Sequence, residues 1–129
     1  MSIRKIVKKA LNRTLSLYKL TGFISDKIFF SQSSLISRLI FDTFGGEILK
    51  TRYKNKWHFY NRIDGERIDF TRPKLVKSFK DKRFEEIPST PDETDYYFAE
   101  EDYYSFFIIF LRTFEEIVGL RSSRHSLTF

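Results

Sequence analysis

The spacing of apolar residues changes at Gly45-Gly46, and this change constrains the fold more than any other feature of the chain. Before the glycines the period is helical. Ile3, Ile6, Val7, Ala10, Leu11 and Tyr18 recur at the spacing of one helix face, with Lys5, Lys8, Lys9 and Lys19 opposite. Residues 31–44 repeat the pattern with Leu35, Ile36, Leu39 and Ile40, and the glycine pair supplies the flexible residue that commonly stops a helix. After the glycines the period is two. Residues 47–54 alternate loosely, 57–63 are rich in aromatics, and 67–71 put Ile68 and Phe70 on one face with Arg67 and Asp69 on the other. Asp64-Gly65 separates the last two runs, and its tolerance of positive φ makes it a strong hairpin signal. Three antiparallel strands are expected.

Residues 72–99 contain all three prolines, Pro73, Pro88 and Pro91, so a short helix at 74–79 followed by an irregular loop is expected there. Residues 100–120 return to helical spacing, with Phe107, Phe110, Leu111, Phe114 and Val118 expected in the core. Phe106, Ile108 and Ile109 widen that stripe. Tyr103, Phe106 and Ile109 are therefore candidates for an exposed face that a homodimer or another protein would cover, or that Tyr96, Tyr97 and Phe98 would cover by folding back. The fold class is α+β: N-terminal helices packed on a small antiparallel sheet, plus a long C-terminal helix. A length of 129 residues suits a single domain, 1–129, with 121–129 as a loose tail.

Composition narrows the function classes. The 15 Phe, 7 Tyr and 1 Trp against 5 Gly and 3 Pro exclude disordered and collagen-like chains. The absence of cysteine excludes disulfides, zinc-thiolate sites and a thiol nucleophile in the chain as it stands. The net charge of +6 is unevenly spread: six bases and no acid lie in residues 1–23, and eight acids and no base in 84–102. Solvation or mutual attraction of these segments explains this better than polyanion binding, and no interleaved basic and aromatic pattern of a nucleic-acid sheet is present. The longest apolar run, 106–111, falls far short of the ~18 residues of a membrane span, and Arg4, Lys5, Lys8 and Lys9 interrupt any secretory core. A cytoplasmic protein is expected. The two histidines, His58 and His125, stand far apart, so neither a metal nor another cofactor is expected.

A polar cluster, Ser31-Gln32-Ser33-Ser34, opens the second helix, His58 sits in a strand, and Asp69 follows across the Asp64-Gly65 turn within cross-strand reach. In this order the types suit acyl transfer: a helix start stabilises an oxyanion, imidazole relays a proton, and a carboxylate fixes its tautomer. A half-buried histidine with one hydrogen bond accounts for the same residues on spacing alone.

The segments SQSSLISRLIFDTFGGEIL and WHFYNRIDGERIDFTR resemble the YunG-like family, whose pattern runs Gly-Gln-Cys, Asp-Tyr-Phe-Gly-Gly-Glu-Ile-Leu, His-Tyr-Trp-Asn, Asp-Gly and Asp-Leu-Thr. Asp42, 44–49, His58, Asn61, Asp64, Gly65, Asp69 and Thr71 coincide with it. The order of Cys, His and Asp on helix, strand and strand is more distantly similar to transglutaminase-like and papain-like enzymes, which implies a core of that kind. The family cysteine falls on Ser33, and its glycine on Ser31. Either a lineage that lost its thiol or a Cys-to-Ser exchange explains this. The resemblance implies Ser33 at the nucleophile position, His58 as general base and acid, and Asp69 as the orienting group. It leaves Gln32, or the amides at 33 and 34, for the oxyanion, and Asn61 as an alternative orienter of the imidazole. The expected function is therefore a thiol-hydrolase or acyl-transferase type of protein acting on peptide or side-chain amides, inactive as written because serine is poorly activated in a site built for a thiol. The alternative is a non-catalytic binding module using the basic first helix or the aromatic last helix.

Overall fold

The computed structural model describes residues 2–21, 32–53, 55–71 and 85–120. Ser31, the expected helix at 74–79, His125, the tail at 121–129 and the side chains of Tyr18 and Lys19 lie outside the described residues. The architecture is α+β, and the chain divides into two compact units.

The first unit holds two helices, α1 (Ile3–Thr21) and α4 (Glu100–Leu120), packed on each other. Helix α1 buries Ile6, Val7, Ala10 and Leu11 as their spacing requires, with Lys5, Lys8 and Lys9 exposed. Thr14 joins the buried face because its hydroxyl donates to Ala10 O at 2.8 Å and so leaves no unpaired group. Helix α4 corrects the expected face. Tyr103, Phe106, Phe110, Thr113 and Ile117 are buried, whereas Phe107, Leu111, Phe114 and Val118 are half-buried and Ile108 and Tyr104 are exposed. Apolar side chains cover more than half the circumference of this helix, so spacing alone does not choose the face. Thr113 could not be anticipated on the buried side, and its bond to Ile109 O at 2.8 Å makes that position tolerable.

The second unit is a four-stranded antiparallel sheet in the order β3-β2-β1-β4 with α2 (Gln32–Phe44) packed on β2 and β1. The strands are β1 (Glu47–Tyr53), β2 (Lys56–Ile63), β3 (Glu66–Ile68) and β4 (Ile87–Ser89). Helix α2 buries Leu35, Ile36, Leu39 and Ile40. It stops where Gly45 N donates to Phe41 O at 2.9 Å, and Gly46 then enters β1 with φ +84°. A Cβ on Gly46 would lie 2.6 Å from Arg62 O, so both the backbone angle and the close approach to β2 demand glycine. The β2–β3 turn has φ 52° at Asp64 and 78° at Gly65, the left-handed pair that matches strand twist.

Residues 85–97 correct the expected loop, because they form β4, a short helix α3 (Pro91–Thr94) and a 3-10 turn (Asp95–Tyr97). Pro88 is compatible with β4 because the strand lies at the sheet edge, paired only with β1. Thr90 caps α3 by accepting from Glu93 N at 3.2 Å, with Pro91 in the first turn, where a missing N–H costs nothing. Arg38 ties this segment to α2, donating to Pro91 O at 2.9 Å and to Asp95 at 2.6 Å.

Candidate active site

The register from Glu47↔Arg62 to Tyr53↔Lys56 is unbroken, so β2 alternates strictly and His58, Tyr60 and Arg62 share one face while Trp57, Phe59 and Asn61 share the other. The Asn61 amide donates to Ser37 O of α2 at 3.0 Å, which puts α2 on the Asn61 face and His58 on the opposite one. Asn61 is thus spent on holding the helix, and it is Asp69 that meets the imidazole.

Strand β3 ends at Ile68 for a local reason. Asp69 Oδ1 accepts from Thr71 N at 3.0 Å and from Thr71 Oγ1 at 2.9 Å, an Asx-type turn that draws the backbone out of the ladder. The same turn aims the second carboxylate oxygen at the sheet, where Oδ2 lies 2.5 Å from His58 Nε2. Both side chains are buried. A carboxylate oxygen only accepts, so Nε2 carries the hydrogen, and in the neutral imidazole Nδ1 is then the nitrogen with a lone pair. Nδ1 makes no hydrogen bond among the described residues. Tyr60 stacks near the ring, with centroids 6.3 Å apart and planes 15° apart. Burial, then the bond its hydroxyl makes to Glu86 at 2.8 Å, pushes the Tyr60 phenol far above its ordinary pKa, so it stays a neutral donor.

Ser33 is the second residue of α2, and its Oγ accepts from Phe59 N at 3.2 Å. That amide is available because β3 has already ended beside it. The hydroxyl therefore sits at the edge of β2, one peptide unit from His58, without a hydrogen bond to the imidazole among the described residues. Gln32 opens the helix and is half-buried. The first turn of α2 carries no acid to offset the positive end of the helix dipole. Trp57 is on the other face, between Lys50 Nζ at 4.3 Å and Arg52 Cζ at 4.1 Å. It does not shield the His58–Asp69 pair.

Thr71 and Tyr60 were not given a role on sequence grounds. The Asp-x-Thr spacing is itself the signal for the turn that holds Asp69, whereas the place of Tyr60 depends on register. Among the described residues no group of three or more His, Cys, Asp or Glu is arranged to hold a metal ion, and no helix is long and apolar enough to cross a membrane.

The chain matches a family described as YunG protein over residues 2–106. It is also similar to a Bacillus subtilis (strain 168) protein described as uncharacterized protein YunG, with 38% identity over 72 residues. That stretch covers 56% of this chain and 60% of the relative's length. No solved structure matches.

Proposed function

The chain belongs to the YunG family, and we propose, from the geometry of its own residues, that its site is one for acyl transfer from peptide or side-chain amides, on a papain-like or transglutaminase-like core, with Ser33 in the position of the nucleophile. The observation that carries this reading is the buried His58–Asp69 pair, held through Nε2 and leaving Nδ1 free for a proton, beside the start of α2. A nucleophile at position 33 would pass its proton to His58 Nδ1 while attacking the carbonyl carbon. Gln32, or the amides at 33 and 34, would face the oxyanion. His58 would then return the proton to the departing amine, and water or a second amine would release the acyl group.

Ser33 bears on how much of this survives. Its hydroxyl accepts from Phe59 N, which leaves its own O–H to donate. A serine hydroxyl loses its proton far less readily than a thiol, so this chain is expected to turn over slowly or not at all. The rival reading, a non-catalytic binding module, draws on that same serine and on the exposed Lys5, Lys8 and Lys9 of α1 and Tyr104 and Ile108 of α4.

Ser33→Cys separates the two, and the absence of any other cysteine makes the labelling clean. The expected result is alkylation by iodoacetamide at neutral pH faster than at a control cysteine placed on the exposed face of α1, with the advantage lost when His58→Ala is added. Equal rates at the two positions would leave the binding module as the better account.

A further inference from the structure

Thr51 is 1% exposed, and its Oγ1 is buried with no hydrogen-bond partner. A valine would fill the same space, favour the strand equally and avoid desolvating a hydroxyl. The register places Thr51 directly opposite His58 on β1, and residues so paired project from the same face with Cβ atoms ~4.5–5.5 Å apart. One buried polar atom on this face, Thr51 Oγ1, therefore lacks a partner among the described residues, and it is complementary to the ring nitrogen across the strand pair: a hydroxyl that donates beside an Nδ1 that accepts in the neutral imidazole.

We infer that Thr51 is a positioning residue for His58, its hydroxyl donating to Nδ1 in the resting site and so holding the ring in the tautomer with hydrogen on Nε2. Rotation of Thr51 about χ1 between staggered wells brings Oγ1 onto the nitrogen or takes it away, which clears Nδ1 when a proton arrives. The imidazole is thereby fixed at both nitrogens, by Asp69 through Nε2 and by Thr51 through Nδ1. The usefulness of this contact rests on His58 acting as the proton carrier, but its presence can be tested without any thiol chemistry.

The test is nitrogen-15 NMR of the two histidine rings, with His125→Gln used to assign His58. In the unaltered chain Nδ1 of His58 should resonate as an unprotonated nitrogen that accepts a hydrogen bond. Thr51→Val should move it to the position of a free lone pair and admit the other tautomer, while Thr51→Ser should restore the original spectrum. A His58 Nδ1 that already resonates as free, or one that Thr51→Val leaves unmoved, would overturn the inference. A Ser33→Cys thiol of ordinary reactivity alongside the expected Nδ1 shift would instead retire the acyl-transfer reading and leave the Thr51 contact standing.

Discussion

On one face of the sheet His58 and Asp69 meet with side chains 6% and 1% exposed, while farther along β2 Arg62 meets Glu47 and Glu86 with side chains 30%, 57% and 22% exposed. Both clusters join acidic to basic side chains at 2.5–2.9 Å. Their surroundings give them different work. At the arginine cluster water competes with every contact, and Glu86 is shared between Arg62, Arg67 and the Tyr60 hydroxyl, so each partner has a substitute. At the histidine pair the carboxylate has one oxygen committed to Thr71 and the other to a ring that is itself buried. Loss of Asp69 there leaves a buried imidazole with no other hydrogen bond among the described residues. The first cluster tunes stability, and the second fixes geometry.

The largest effect that would break this contrast is at Asp69. Asp69→Asn keeps the shape but removes the charge and leaves one amide oxygen where two carboxylate oxygens had served Nε2 and Thr71, and breaking a buried pair of this kind costs about 3–5 kcal/mol. Urea denaturation should find that loss; a change no larger than at the arginine cluster would mean the pair is not the closed unit described here.

A smaller effect is expected at Glu86. Burial alone pushes its carboxyl up, but the bonds from Arg67 and Tyr60 and the charges of Arg67 and Arg62 outweigh it and hold it below the ordinary carboxylate range. A carboxylate depressed in the folded state stabilises the fold above its unfolded pKa, and the contribution disappears as pH falls through the folded value. Glu86→Gln should therefore cost at most about 1 kcal/mol at neutral pH, where partial exposure screens the network. The gap between variant and unaltered chain should close in acid, below the ordinary carboxylate range. Urea midpoints that stay equally far apart in acid would assign the loss to packing rather than charge.

The smallest effect is expected at Glu47. Its carboxylate is also held low, first by the hydrogen bond from Arg62, but the side chain is largely in water. Glu47→Gln should leave the thermal midpoint unchanged within error, with or without added salt. A clear drop would show the arginine cluster to be more cooperative than its exposure implies.

How much of this was legible beforehand follows from what each signal depends on. The change of period at Gly45-Gly46 and the Asp64-Gly65 turn are local matters of side-chain spacing and backbone angle, so the sequence by itself determined α1, α2, the β2–β3 hairpin and the nearness of His58 to Asp69. Thr90-Pro91-Asp92-Glu93 carried an equally local capping signal for α3, hidden only by the density of proline around it. The buried face of α4 was not legible, because too many of its positions are apolar for spacing to choose among them, and Phe106 turned inward where Phe107 was expected. Tertiary structure alone decided that β4 completes the sheet, that Asn61 serves α2 rather than His58, and that Thr51 stands across from the imidazole. Each of these depends on register and on which sheet face a helix covers, and those are settled by where buried polar atoms find partners across the chain rather than by neighbours along it.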